Sequence, residues 1–281
     1  MINLNGKILT EEDAKISPFN RGLFYGDAVF ETLRISTGRI LFWEDHYLRL
    51  MASMRIMRMD IPMNFTMEYL EEQILSTINA AHPGAQATKA RLTVYRNEGG
   101  LYTPTNPSVS FLITSATLET PFYLHNSKPY EIELFKDYYL NSGLLSTIKS
   151  NNKLLHVLGG IFASENHYDN CLLLNENKMV VEALNGNLFL VFGNTIKTPP
   201  ISDGCLRGIL RKQILDMAKQ LPDYRFEETT ISPFELQKAD ELFITNVITG
   251  IQPISKYRKK EYDTQVSKDL VTKLNVKIRL G

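Results

Sequence analysis

Apolar positions in the first part of the chain repeat with two different periods, which predict short strands followed by amphipathic helices. Asn5-Gly6 and Thr37-Gly38 each separate two apolar runs and carry the residue types that favour the tight turn of a β-hairpin. From about Asp45 onward, apolar residues recur every three or four positions, as in a helix with one buried face. The predicted elements are hairpins over 1–9 and 28–43, helices from about 45 and over 65–81, and strands over 89–96 and 108–116.

The second part of the chain shows the same two periods in another order. It predicts a strand over 131–138, a helix over 152–167, three or four strands across 171–198, a helix from about 207 to 220 and a strand over 240–254. Between the two parts, residues 119–130 contain Pro121 and Pro129 and show little periodicity, which is typical of a linker. The sequence therefore predicts an α+β fold with a small N-terminal domain over 1–118, a linker over 119–130 and a larger C-terminal domain over 131–281.

Composition narrows the classes of function. The 31 basic residues balance 31 acidic ones, so no net charge favours nucleic acid or an anionic membrane as a partner. No apolar run is long enough for a transmembrane helix, and the N-terminal residues lack the features of a secretion signal. Cys171, Cys205 and the histidines show no metal-binding spacing, so we expect reduced thiols, no metal site and a cytoplasmic protein.

Lys149 lies beside an apolar run in the stretch LLSTIKSNNKLLHVLGG, residues 144–160. A lysine in this position either extends its ammonium group to solvent or holds a partly desolvated amine, which is the better nucleophile. Such an amine can form a Schiff base with an aldehyde cofactor. Because extension to solvent is the commoner case, other residues must decide between the two interpretations.

Three further features would complete a site for an aldehyde cofactor that carries a phosphate. Glu182 stands at the end of a predicted strand, as a solvated end residue or as the partner of a pyridinium nitrogen. Gly208 precedes a predicted helix, and backbone N–H groups at a helix N-terminus bind phosphate. Arg49, on the first long helix, is either a surface arginine or a second contact to that phosphate.

These features occur in the order found in a known family. The chain resembles the class IV, or fold-type IV, pyridoxal-phosphate (PLP) enzymes, which include branched-chain aminotransferases, D-amino-acid aminotransferases and 4-amino-4-deoxychorismate lyases. The resemblance covers nearly the whole chain. It is carried by the blocks RGLFYGDAVFETLRISTGRILFWEDHYLRL (21–50), IKSNN (148–152), VVEALNGNLF (180–189), LRGILR (206–211) and ELFITNVITGIQPI (241–254).

The resemblance implies a two-domain PLP enzyme with a barrel-like sheet in the larger domain, and a homodimer with each site near the interface. It makes Lys149 the Schiff-base lysine, which also acts as the general base, and Glu182 the partner of the cofactor's ring nitrogen. The other cofactor contacts that it implies are Arg49, Gly208, the backbone N–H groups of Ile209 and Leu210, Asn246 and Val247.

Within the family, the resemblance favours 4-amino-4-deoxychorismate lyase, which releases pyruvate and forms 4-aminobenzoate for folate biosynthesis. FETLRI and TNVITGIQPI resemble the lyases, whereas Leu154 and Phe30 stand where branched-chain and D-amino-acid aminotransferases, respectively, usually have tyrosine. A branched-chain or D-amino-acid aminotransferase is the first alternative. A PLP-binding homologue without turnover is the second.

The implied substrate is a small amine or amino acid. Lyases often carry an arginine where this chain has Leu101, so the arginine that would hold a substrate carboxylate is unassigned. The candidate substrate contacts are Phe30, Arg96 and Lys153, of which Arg96 or Lys153 could replace the missing arginine.

Overall fold

The computed structural model describes residues 1–218 and 221–280, which form two units. One unit comprises Met1–Phe122 with Ile148–Asn152, and the other comprises Tyr123–Thr147 with Lys153–Gly281. The division falls inside the predicted linker, but the segment with Lys149 groups with the first unit, whereas we expected it in the C-terminal domain. Backbone pairing explains this, because Phe30 donates its N–H to the Lys149 carbonyl at 2.8 Å.

The first unit is built on an antiparallel sheet. Its elements are β1 (Ile2–Leu4), β2 (Lys7–Leu9), α1 (Arg21–Tyr25), β3 (Ala28–Ser36), β4 (Arg39–Ile40), α2 (Trp43–Ile56), α3 (Met67–Ala81), β5 (Ala87–Arg96) and β6 (Val109–Thr117). The described strands follow the order β2-β1-β6-β5-β3-β4. Both predicted hairpins are present, with turns at Asn5-Gly6 and Thr37-Gly38 in the left-handed backbone region.

Helices α2 and α3 pack against one face of this sheet. Side chains alternate between the two faces along a strand, so every second residue of β3 points into the core. Glu31 has the same phase as the apolar core residues of β3, and Phe30 points to the opposite face. The buried core includes Val29, Leu33, Ile35, Leu50, Met54, Leu70 and Ile74.

The second unit contains a larger, mixed sheet. Its elements are β7 (Glu131–Leu140), α4 (Leu154–Glu165), β8 (Asn170–Asn175), β9 (Val180–Ala183), β10 (Gly186–Phe192), β11 (Thr195–Thr198), a 3-10 turn (Ile201–Asp203), α5 (Ile209–Ala218), β12 (Arg225–Glu228), α6 (Pro233–Leu236), β13 (Glu241–Asn246), β14 (Gly250–Ile254), β15 (Lys256–Tyr257), β16 (Lys260–Glu261) and α7 (Gln265–Leu280). The described strands follow the order β12-β11-β10-β9-β8-β7-β15-β16, and β13 pairs with both β10 and β14.

Two predicted elements of this unit differ from the structure. The strand predicted over 240–254 is the hairpin β13–β14, because the Asn246 side chain accepts the N–H groups of Ile248 and Thr249 and closes a turn. The helix predicted from about 207 begins at Ile209. Its predicted last residues, 219 and 220, lie outside the described residues. Within residues 1–218 and 221–280, no helix has the length and apolar character needed to cross a membrane.

Candidate active site

Lys149 lies on the face of the first unit's sheet that points away from the core. The chain around Ser150 runs beside β3 and forms an antiparallel bridge with Val29. Residues directly opposite each other share a face, so Lys149 joins Phe30 on the side away from the core. Its Nζ lies 4.6 Å from the centroid of the Phe30 ring. The main chain of Lys149 is thus held by a strand, and its amine is positioned over an aromatic ring.

Arg91 belongs to the same group of side chains and was not among the predicted site residues. It is paired with Thr32 across β3 and β5, so it lies on the same face as Phe30 and diagonal to it. Its Cζ is 3.5 Å from the centroid of the Phe30 ring, and its Nη2 donates to Asn151 Oδ1 at 3.0 Å. The residue is exposed, although partial desolvation lowers the pKa of its guanidinium. Arg91 therefore brings a solvent-accessible cation to the ring that Lys149 contacts.

Arg96, a predicted substrate contact, holds parts of the first unit together. It is buried, and its Nε donates to Asp27 at 2.9 Å. Its two terminal nitrogens donate to the carbonyl groups of Arg58 at 2.9 Å and Met57 at 2.6 Å. Asp27 also accepts a hydrogen bond from Arg21 at 3.0 Å. All three nitrogens of its guanidinium are thus engaged inside the first unit, and the substrate contact of Arg96 stays a prediction.

Arg49 lies in a buried polar cluster on the core side of the sheet. Its Nε and Nη2 donate to the two carboxylate oxygens of Glu31 at 2.8 and 2.5 Å. His46 Nδ1 lies 2.6 Å from one of these oxygens. Burial alone raises the pKa of Glu31, but Arg49 and His46 outweigh it and hold that pKa at about 2. Glu31 thus fixes the orientation of Arg49, and the phosphate contact implied for Arg49 stays a prediction.

Glu182 stands in a row of polar side chains that crosses three adjacent strands of the second unit. Asn187 of β10 is opposite Glu182 on one side and Thr245 on the other. All three residues are buried. Glu182 Oε2 accepts the N–H of Leu206 at 2.8 Å, and its Oε1 lies 3.3 Å from His156 Nε2. Glu182 is therefore a buried, hydrogen-bonded carboxylate and not a solvated residue at a strand end.

The turn before α5 approaches this row closely. Asn187 donates from Nδ2 to the Leu206 carbonyl at 2.9 Å. A Cβ on Gly208 would lie 1.9 Å from Asn187 Oδ1, so only glycine allows this approach. The helix begins at Ile209, and the first N–H groups of a helix, here including that of Leu210, have no acceptor within the helix. The turn thus supports an anion site beside Asn187.

The remaining predicted site residues make local contacts within the protein. The Asn246 side chain closes the β13–β14 turn, and the Val247 carbonyl accepts the hydroxyl of Tyr123 at 2.6 Å. Lys153 is the residue before α4 and is half-buried. The cofactor contacts of Asn246 and Val247 stay predictions, as do the substrate contacts of Phe30 and Lys153.

The groups present fit PLP by their chemistry. The first unit contains an amine of the type that an aldehyde requires, Lys149. The second unit contains a buried carboxylate, Glu182, which could partner a ring nitrogen, and a helix N-terminus from Gly208 to Leu210, which could bind a phosphate. The sequence predicted these residues but not Arg91, His46 or His156. Arg91 alternates with apolar neighbours, which indicates a solvent-side position and no more.

Comparisons with known proteins agree with this chemistry. A family model described as amino-transferase class IV matches residues 28–257. A provisionally named branched-chain-amino-acid aminotransferase from Methanocaldococcus jannaschii is 30% identical over 278 residues, which are 99% of this chain and 95% of that protein. The aminodeoxychorismate lyase of Bacillus subtilis is 25% identical over 276 residues, which are 94% of this chain and 89% of that protein.

The fold is shared with solved structures. The branched-chain amino acid aminotransferase from Thermobaculum terrenum in its PLP form matches with a TM-score of 0.84 at 22% identity, covering 99% of this chain and 93% of that one. This similarity confirms the predicted α+β, fold-type IV class.

Proposed function

The chain belongs to the class IV aminotransferases, and from this premise we propose that it transfers the amino group of an α-amino acid to a 2-oxo acid. Members of this family are PLP-dependent enzymes, so the predictions of an enzyme and of its cofactor are confirmed. When bound, PLP supplies an aldehyde carbon that joins the substrate nitrogen and a cationic ring that withdraws electrons from the neighbouring carbon.

The group of Lys149, Phe30 and Arg91 is the observation that carries this proposal. The amine of Lys149 and the guanidinium of Arg91 lie over the same ring, 4.6 and 3.5 Å from its centroid. An α-amino acid carries its carboxylate on the carbon that loses the proton, so the anchor for that carboxylate must lie near the base. Arg91 meets this condition: its Nε donates to Thr93 Oγ1 at 3.2 Å and its Nη2 to Asn151 Oδ1 at 3.0 Å, which orient the guanidinium, and its Nη1 carries two further donors for a carboxylate.

The other site residues have complementary roles in the proposal. Lys149 Nζ would take the proton from the substrate α-carbon, hold it and later release it. Glu182 would accept a hydrogen bond from the protonated ring nitrogen of bound PLP, which would keep the ring cationic. The N–H groups of Ile209 and Leu210 would hold the phosphate at the start of α5, with Arg49, Asn246 and Val247 as further proposed contacts.

The lyase is the second candidate, because TNVITGIQPI resembles the lyases and the Bacillus subtilis relative is one. It would use the same base and the same ring partner. The electron pair left on the substrate would then expel the enolpyruvyl group, which takes up a proton to leave as pyruvate, and 4-aminobenzoate for folate biosynthesis would form.

A paired assay on one preparation of PLP-loaded enzyme separates the two reactions. One arm measures 2-oxo-acid-dependent consumption of branched-chain L-amino acids and of D-alanine, and the other measures pyruvate release from aminodeoxychorismate. We expect turnover in the first arm. Pyruvate release without amino transfer would overturn the proposal in favour of the lyase, and inactivity in both arms would favour a non-catalytic PLP-binding protein.

We also propose a homodimer that acts in the cytoplasm. Leu154, Val157 and Ile161 recur along one side of α4 and are 71%, 56% and 48% exposed. An apolar stripe of this kind marks an interaction surface, and a second copy of the chain is the partner that the family resemblance implies. The buried, free thiols of Cys171 and Cys205 are compatible with the cytoplasm.

A further inference from the structure

His156 contacts the buried carboxylate of Glu182, and the proposed reaction gives this histidine no role. It lies in the first turn of α4, and its side chain is 15% exposed. Its Nε2 is 3.3 Å from Glu182 Oε1. Because a carboxylate only accepts hydrogen bonds, Nε2 carries the hydrogen and donates it to Glu182.

The tautomer of His156 is consistent with this direction. Its Nδ1 is buried and has no hydrogen-bond partner in the described part of the chain. In the tautomer with hydrogen on Nε2, the orphaned Nδ1 is a bare lone pair and not a buried N–H group. The only hydrogen that His156 then carries on its ring nitrogens is the one directed at Glu182.

Close packing of α4 against the sheet brings His156 to Glu182. Gly159, three residues further along the same side of the helix, is buried, and a Cβ there would lie 2.7 Å from a Leu184 methyl group and 3.1 Å from Cys171 Sγ. The Cys171 thiol also donates to the Gly159 carbonyl at 3.3 Å. The absence of a side chain at residue 159 thus lets this side of the helix, which also carries His156, lie close to Leu184 and Cys171.

The two oxygens of Glu182 are therefore held from two directions. The backbone N–H of Leu206 fixes Oε2 at 2.8 Å, and His156 fixes Oε1. A carboxylate held at one oxygen can still rotate about its last carbon–carbon bond, whereas one held at both keeps its plane. Each oxygen retains a second lone pair for another donor.

We propose that His156 is a positioning residue, which holds the Glu182 carboxylate in the orientation that meets the ring nitrogen of the bound cofactor. This inference rests on the proposed role of Glu182. Pre-organisation of an acceptor strengthens its hydrogen bond because less freedom is lost on binding. Loss of His156 should therefore weaken the binding of a cofactor that has a ring nitrogen and leave unchanged the binding of one that lacks it.

The test compares the affinity of the apo-protein for PLP and for 1-deaza-PLP, in which a carbon replaces the ring nitrogen. His156→Leu removes the donor, His156→Gln retains one, and His167→Asn changes an exposed histidine of the same unit as the control. We expect His156→Leu to weaken PLP binding about three- to tenfold, the range of one hydrogen bond, and to leave 1-deaza-PLP binding unchanged. His156→Gln should restore most of the PLP affinity, and His167→Asn should change neither affinity.

Equal weakening for both cofactors would show a merely structural role and overturn the inference, as would unchanged PLP binding. Glu182→Gln, measured in the same way, separates this failure from failure of the proposed role of Glu182. If Glu182→Gln discriminates between the cofactors and His156→Leu does not, only the inference fails. If Glu182→Gln does not discriminate, both fail. Urea unfolding of each apo-variant confirms that it is folded, and His156→Ala replaces the leucine variant if that one is not.

Discussion

At the scale of single residues, Glu31 shows how much strand phase can reveal. It has the phase of Val29 and Leu33 on β3, so its position in the core was readable from the sequence once the strand was placed. A buried carboxylate requires partners, but alternation does not say which. His46 and Arg49 meet it from a different element, and only the packing of α2 on the sheet brings the three together.

The Glu31 cluster predicts a loss of stability in acid. The pKa of Glu31 lies at about 2 in the folded protein against an ordinary value of 4.5, so its stabilising contribution is present above about 4.5 and is lost as pH falls towards 2. We expect a contribution on the order of 3 kcal/mol, which Glu31→Gln abolishes. Urea unfolding of the wild type and Glu31→Gln between pH 7 and pH 2 measures it, with Glu72→Gln, at an exposed carboxylate of the same unit, as the control. An unchanged pH profile in Glu31→Gln would contradict the cluster.

The position of Arg91 predicts that its substitution weakens the binding of substrate and not that of the cofactor. If it anchors the substrate carboxylate, Arg91→Met should raise KM for an amino-acid substrate about 10- to 100-fold, because a charged hydrogen-bonded pair is lost. The affinity for PLP should change little. Lys89→Met, at an exposed residue of the same strand, is the matched control. A fall in kcat with unchanged KM would argue against an anchoring role.

At the scale of elements, predictions succeeded where the deciding chemistry is local. The Asn-Gly and Thr-Gly turns need left-handed backbone angles, and these residue types signal them directly. The β13–β14 hairpin was missed because its turn is closed by the side chain of Asn246 within an apolar run that reads as one strand. The short β12 pairs in parallel with β11 across a helical connection, a long-range contact with no signal in its own residues.

The turn before α5 predicts that the effect of a side chain at residue 208 depends on Asn187. Gly208→Ala places a methyl group against Asn187 Oδ1, so the turn must shift and the phosphate site with it. We expect a loss of PLP affinity of about tenfold or more, by analogy with other misplaced hydrogen-bond donors. Asn187→Ala removes the clash, so the double variant should bind PLP better than Gly208→Ala alone. Additive losses would show that the clash is not the cause.

At the scale of the whole molecule, the exposed stripe on α4 predicts a second copy as partner. Val157→Glu places a charge in the middle of the stripe and should shift the protein from dimer to monomer. Val276→Glu, at a valine of α7 that is 50% exposed, against 56% for Val157, should leave the dimer intact. Sedimentation velocity over a range of protein concentrations checks both. A wild-type protein that stays monomeric at micromolar concentration would contradict the proposal.

The order of motifs along the chain predicted the family, the cofactor and the residue types of the site. It could not predict that the Lys149 segment groups with the first unit, because this depends on pairing with β3 across more than a hundred residues. Alternation along β5 does separate Arg96, which has the phase of the buried Leu92 and Val94, from Arg91 on the opposite face. It could not predict the partners of Arg96, which only the network with Asp27 shows.

The central claim is that Lys149 carries the cofactor, and peptide mapping tests it most directly. The protein is loaded with PLP, reduced with borohydride and digested, and the phosphopyridoxyl group is located by mass spectrometry. We predict that the label lies on Lys149, that Lys149→Arg abolishes both the label and the visible absorbance, and that Lys153→Arg keeps both. Label on Lys153, or none in the wild type, would contradict the account.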